Sequence, residues 1–156
     1  MIITDDQPTI RQGLRSILES EEEFTILGEA GNGLELMDLL NQGVVPDALI
    51  LDLSMPQMSG LEVLEQIRQM HFSFEVLVLT MHKERDWLCR AFNLGAGGFM
   101  LKDGMARELP AALHTLLERE IYISPVMANE LPESCLVKSM LGQRRTSSTT
   151  LIHCSK

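Results

Sequence analysis

Pro46-Asp47-Ala48-Leu49-Ile50-Leu51-Asp52-Leu53-Ser54-Met55-Pro56 reads as a short strand that ends on a carboxylate. Its four central residues are small or aliphatic, with no polar alternation. That is the pattern of a parallel strand covered on both faces rather than of a surface strand with one wet side. The same punctuation recurs on either side. Glu75 to Leu79 is followed by Thr80, Gly98 to Leu101 by Lys102, and Met1 to Thr4 by Asp5 and Asp6. A fifth strand is expected at Phe24 to Gly28. Between these runs the apolar residues fall at helical spacing: Ile10, Leu14, Ile17 and Leu18; Leu34, Met37 and Leu40; Leu61, Leu64 and Ile67. Strand and helix therefore alternate five times, which predicts an α/β domain with a doubly wound, five-stranded parallel sheet.

Local signals place the remaining boundaries. Asn32-Gly33 marks the turn before the second helix, and Ser59 is suited to cap the third. The fourth helix is expected from Glu84 to Leu94, halted by Gly95-Ala96-Gly97-Gly98. The fifth is expected from Arg107 to Arg119, with Pro110 in its first turn. Tyr122-Ile123-Ser124-Pro125 reads as a turn into one more short helix through Leu131, with Ser124 as its cap. This divides the chain into a globular unit over 1–124, a helical linker over 125–131 and a flexible tail over 132–156.

In an open parallel sheet the carboxyl ends of the strands gather along one rim, where such folds bind ligands. Asp5, Asp6 and Asp52 would meet there. Three carboxylates side by side repel one another unless a cation sits among them. Lys102 and Thr80 would add a positive charge and a hydroxyl, a pair suited to an anion beside that cation. A phosphoryl group fits, and Asp52 is placed to attack it and carry it as an acyl phosphate. Mg²⁺ is the matching ion, since it prefers oxygen ligands and bridges carboxylates to phosphates.

Composition limits the other options. The chain has 156 residues, 45% of them hydrophobic, enough for one domain with a full core. No apolar run is long enough to cross a bilayer and the amino terminus has no signal-peptide layout, so a cytoplasmic protein with no membrane partner is expected. Residues 1–131 carry 21 Asp and Glu against 9 Lys and Arg, a net of −12, which argues against nucleic-acid binding through bulk charge. Cys89, Cys135 and Cys154 lack metal-ligand spacing and read as three reduced thiols. His71, His82, His114 and His153 likewise share no ligand spacing, although His82, two residues after Thr80, is placed to tune water access. Trp87 and Phe92 suit either a partner surface or the core.

Taken together, Asp5-Asp6, the Pro46 to Pro56 run with Gly60, Thr80, Gly95-Ala96 and Phe99-Met100-Leu101-Lys102 resemble the receiver domain of two-component response regulators. Residues 95–103 and 122–125 resemble its NarL/FixJ (LuxR-type) subfamily. The resemblance covers residues 1 to about 119. It implies a flavodoxin-like (βα)₅ fold, and Asp52 as phosphoacceptor from a sensor histidine kinase or a small phosphodonor. It implies Asp6 and Asp52 as direct Mg²⁺ ligands, Asp5 acting through water and the Ser54 backbone carbonyl completing the set. Thr80 and Lys102 would contact the phosphoryl group. Phe99 would turn inward as Thr80 is drawn toward it, switching a face made of the fourth helix, fifth strand and fifth helix. A homodimer through the receiver is a further partner of this kind.

Three departures from the family shape the expectations. The first strand has only four residues before Asp5, so a cost in stability more than in chemistry is expected, and a loosened sheet that misplaces Asp5 and Asp6 is what a degenerate receiver would need. Asp103 follows Lys102 where many receivers have Pro, so a trans bond is expected there. Residues 132–156 contain no helix-turn-helix pattern, so DNA would be a partner only of a longer form. Two other readings stay open: a degenerate receiver that only dimerises or binds partners, and a Mg²⁺-dependent phosphatase or phosphotransferase. Haloacid-dehalogenase-like enzymes of the second kind usually carry another Asp two residues after the nucleophile, where this chain has Ser54.

Overall fold

The computed structural model describes residues 1–81 and 85–128. The elements follow in the order β1 (Ile2–Thr4), α1 (Pro8–Glu19), β2 (Gly28–Ala30), α2 (Gly33–Asn41), β3 (Ala48–Leu51) and α3 (Gly60–Gln69). Then come β4 (Glu75–Thr80), α4 (Arg85–Asn93), β5 (Gly98–Leu101), a 3₁₀ turn (Lys102–Gly104), α5 (Met105–Leu117), β6 (Tyr122–Ile123) and α6 (Pro125–Ala128). All strands are parallel, in the order β2-β1-β3-β4-β5-β6. The doubly wound parallel sheet is as expected, with one short strand added at the β5 edge.

Strand alternation builds a core on each face of the sheet. Leu49, Leu51, Val76, Val78 and Phe99 face the layer of α2, α3, α4 and α6. Ala48, Ile50, Leu77, Leu79 and Met100 face α1 and α5, which contribute Leu14, Leu18, Leu109 and Leu113. Both faces of β3 and β5 are buried throughout, as their unbroken apolar runs require.

Several boundaries move. The second strand is Gly28–Ala30 rather than Phe24 to Gly28. β1 offers only three rungs, and its Ile2 pairs with Gly28, so pairing begins where Phe24–Leu27 has already passed. Phe24 instead packs with the α1 and α5 layer. Leu34 is half exposed, and the buried face of α2 is Gly33, Leu36, Met37 and Leu40. α5 starts at Met105, directly after the 3₁₀ turn, so Pro110 lies inside the helix and not in its first turn. Tyr122-Ile123, expected as a turn, pairs with Gly98 and Phe99 as β6. Ser124 stands directly before α6, its carbonyl accepting from the Met127 and Ala128 N–H groups, while its hydroxyl donates to Glu108 Oε2 at 3.2 Å. Cys89 is disulfide-bonded rather than a free thiol. The start of the fourth helix at Glu84, the end of the last helix at Leu131, the tail over 132–156, His82, His153, Cys135 and Cys154 lie outside the described residues.

Other signals hold. Ser59 forms a capping box with Glu62, and the Asn32 side chain accepts from the Glu35 N–H. α4 ends with Ala96 N–H bonded to Ala91 O and Gly95 N–H to Phe92 O, a Schellman closure with Gly95 at φ 108°. The Lys102–Asp103 bond is trans.

Candidate functional site

The short first strand does not loosen the sheet. Ile2, Ile3 and Thr4 each pair on both sides, with β2 and with β3. The Met1 ammonium donates to Thr25 O at 2.7 Å, and Met1 O accepts from Leu27 N–H at 2.7 Å, which extends the contact below the ladder. At the upper end, Asp5 N–H bonds to Ala30 O and Asp52 N–H to Thr4 O. The first ties the end of β1 to β2, and the second brings the ends of β1 and β3 level. Carboxylate oxygens of Asp5, Asp6 and Asp52 all lie within 4.8 Å of one another. Asp5 and Asp52 are buried, while Asp6 is exposed.

Lys102 reaches this cluster from the end of β5. Its buried ammonium lies 2.7 Å from Asp5 Oδ2 and 3.3 Å from Asp52 Oδ2. One cation thus serves two buried anions, with a third carboxylate beside them. Asp5 Oδ2 has no well-directed hydrogen bond despite its short ion pair, so part of its acceptor capacity is unused. Asp52 Oδ1 accepts from Ser54 N–H at 3.1 Å. Burial, helped by the Asp5 charge and opposed by the Ser54 N–H and Lys102, raises the Asp52 carboxyl to about 6. Asp52 is therefore an anion that its surroundings hold at a cost. An orphaned acceptor, two buried carboxylates and an exposed third form a donor set that suits a hard divalent cation such as Mg²⁺.

Gly60 explains how close α3 comes to this strand end. A Cβ there would sit 2.5 Å from Asp52 O and 2.6 Å from Leu53 Cα, and Gly60 N–H bonds to Leu53 O. Only glycine lets the helix start against the backbone that presents Asp52.

Thr80 and Phe99 sit on the two strands beyond β3. Thr80 is buried at the end of β4 and is in register with Leu101, the residue before Lys102. Phe99 is fully buried against Phe92, ring centroids 4.3 Å apart, so its side chain points inward. Phe92 is therefore core, and Trp87 packs half-buried against the same cluster. Ser54 is exposed in the loop after β3.

Two residues absent from the sequence reading also touch the site. Arg11 Nη1 donates to Asp5 O at 2.6 Å and Arg11 Nε lies 3.4 Å from Glu29, which also takes two bonds from Arg15. Gln7 donates its N–H to Asp5 Oδ1 at 2.8 Å and accepts from the Lys102 ammonium at Oε1, 3.2 Å away. The signal for Gln7 was its place: a poor capping residue directly after the acidic pair and before Pro8.

The model of the response regulator receiver domain matches residues 1–114. The chain belongs to that family. It is 32% identical over 133 residues to the transcriptional regulatory protein YdfI of Bacillus subtilis, covering 85% of this chain and 62% of YdfI. It is 29% identical over 150 residues to the nitrate/nitrite response regulator protein NarL of Escherichia coli K12, covering 96% of this chain and 69% of NarL. The isolated receiver domain of RcsB from Salmonella enterica serovar Typhimurium, solved with the phosphomimetic BeF₃⁻, superposes with a TM-score of 0.77 at 30% identity. That match covers 84% of this chain and 96% of the RcsB domain. The chain thus spans a little under two thirds of YdfI and about the whole of an isolated receiver. It is a two-component response-regulator receiver of the NarL/LuxR type. Among the described residues no helix is long and apolar enough to cross a membrane.

Proposed function

We propose that this receiver accepts one phosphoryl group on Asp52 and relays its presence through the face formed by α4, β5 and α5. The observation that carries the reading is the Asp52 carboxylate itself. It is buried at the end of β3, raised to about 6, and shares a single ammonium with Asp5. A carboxylate so poorly compensated is nucleophilic and gains from charge neutralisation. In the step, an Asp52 oxygen bonds to phosphorus as the bond to the donor breaks. The donor is the phosphorylated imidazole of a sensor histidine kinase or a small acyl phosphate, and the departing group keeps the electron pair.

Asp6 and Asp52 would hold Mg²⁺ directly, Asp5 through water, and the Ser54 carbonyl would complete the protein's share. The ion supplies charge neutralisation at the phosphoryl oxygens. Lys102 supplies the second positive charge, and the Thr80 hydroxyl a hydrogen bond. Drawing Thr80 toward the phosphoryl group would act on Phe99, since Val78, two residues before Thr80, is in register with Phe99. A change at Asp52 is thereby passed to the side that carries α4. This is a switch rather than a turnover enzyme: no acid/base carboxylate follows Asp52 at the second position, where Ser54 stands. We read residues 1–124 as the receiver, 125–131 as a linker and 132–156 as a tail, working in the cytoplasm, with receiver homodimers as the signalling form. YdfI is a transcriptional regulatory protein by name, so DNA would be reached by a longer form carrying an output domain.

Intact mass after incubation with acetyl phosphate and Mg²⁺ tests this. One added phosphoryl group is expected, absent in Asp52→Ala and absent with the metal chelated. No gain in the unaltered protein, or an equal gain in Asp52→Ala, overturns it.

A further inference from the structure

We propose that Gln7 is a positioning residue of this site, holding the Lys102 ammonium toward the open side of the rim until a phosphoryl oxygen takes its place. The inference rests on Asp52 being the phosphoacceptor. An ammonium has three N–H donors. The Lys102 ammonium hydrogen-bonds Gln7 Oε1 at 3.2 Å and Asp52 Oδ2 at 3.3 Å and is ion-paired with Asp5 Oδ2 at 2.7 Å. The two carboxylates are buried and draw the charge inward, whereas Gln7 is exposed at the mouth.

The local structure of Gln7 shows where its side chain is committed. It occupies the N-cap of α1, where a Ser, Thr, Asp or Asn side chain would bond the first free N–H groups. Gln7 makes no such bond. Its backbone carbonyl takes the N–H groups of Ile10 and Arg11, its own N–H holds Asp5 Oδ1, and its amide oxygen reaches a residue 95 positions away. Helix capping by the side chain is given up for a contact inside the acidic site. A neutral amide is the weakest of the three acceptors for an ammonium. It is therefore the one an incoming phosphoryl oxygen displaces: Lys102 keeps its proton and turns that N–H from Gln7 Oε1 to the phosphoryl group. Without Gln7, the ammonium settles onto the two carboxylates and must be pulled off them during the reaction.

The test compares the unaltered protein with Gln7→Ala and Gln7→Glu, measuring the rate of phosphorylation by acetyl phosphate with Mg²⁺, the Mg²⁺ affinity and the thermal midpoint. Gln7→Ala is expected to slow phosphorylation about threefold to tenfold, the net worth of one ordinary intramolecular hydrogen bond, with Mg²⁺ affinity and midpoint unchanged. Gln7→Glu is expected to slow it further while tightening Mg²⁺, because a fourth carboxylate holds the ammonium more firmly. An unaltered rate in both variants overturns the inference, and so does a parallel fall in rate, affinity and midpoint, which marks a purely structural role. Failure of the unaltered protein to take up phosphoryl would instead sink the assignment of Asp52, and this inference with it.

Discussion

Glu108, in the first turn of α5, accepts one hydroxyl on each of its oxygens: Tyr122 of β6 at 2.6 Å on Oε1 and Ser124 at 3.2 Å on Oε2. Asp52, at the rim of the sheet, has one backbone N–H and a share in a single ammonium, with Asp5 and Asp6 alongside. Asp52 is buried and Glu108 partly so. At the corner the neighbours are neutral donors arranged around one charge, so the contact closes the structure and fastens the chain leaving α5 to β5. At the rim the neighbours are further anions, so the contact is incomplete without something from outside. The contrast predicts that removing an acid has opposite signs in the two places.

The largest effect should come from removing the cation. Lys102→Met leaves Asp5 and Asp52 buried without their counter-charge, and about 3 to 5 kcal/mol of stability should be lost near pH 8. Denaturant midpoints measured with and without Mg²⁺ check this, because the metal should restore part of the loss. A variant as stable as the parent in metal-free buffer would mean that the rim carboxylates are better satisfied than their geometry indicates.

Removing one anion should do the reverse. The folded Asp52 carboxyl, at about 6, lies above its ordinary value of 3.8, so the native state binds the proton more tightly than the unfolded chain. Stability therefore falls as pH rises from about 4 through 6, and the ionised group costs about 2 to 3 kcal/mol above that window. Asp52→Asn should be more stable than the parent by that amount at pH 8 without metal, and the advantage should vanish near pH 4. Mg²⁺ should stabilise the parent more than the variant. A pH-independent difference between the two proteins would refute this account.

These contrasts also show which parts of the molecule were legible in its sequence. β3 and Asp52 were plain because four apolar residues between Asp47 and Asp52 are too few for a helix, and the end of such a run is set by its first polar residue. Thr80 and Lys102 followed by the same logic. Phe24 to Gly28 misled because an apolar run can serve a helix layer as well as a sheet, and its register was set by the three rungs of β1. β6 has two residues and exists only because β5 offers an open edge, a tertiary fact invisible locally. Pro110 was assigned to a first turn because the 3₁₀ turn that starts α5 early has no strong sequence signal. Gln7 was missed for a similar reason: its partner lies 95 residues away, and a neutral amide carries no charge pattern to search for.

The corner gives the smallest effect and the cleanest control. Glu108→Gln keeps the shape but loses the charge that both hydroxyls bond, and one replacement amide N–H₂ must face a hydroxyl oxygen. About 1 kcal/mol should be lost, at neutral pH and with or without Mg²⁺, because nothing at the rim is touched. A second readout isolates the contact. Burial raises the Tyr122 phenol well above its ordinary range, and the Glu108 charge and hydrogen bond raise it further. Glu108→Gln removes the second cause only, so ultraviolet titration should show the phenol ionising at lower pH than in the parent, yet still above an exposed tyrosine. A midpoint that rises in this variant, as expected for Asp52→Asn, would erase the distinction between the two carboxylates; a fall confined to the corner confirms that the strain of this domain is gathered at the rim, where an incoming cation and phosphoryl group can relieve it.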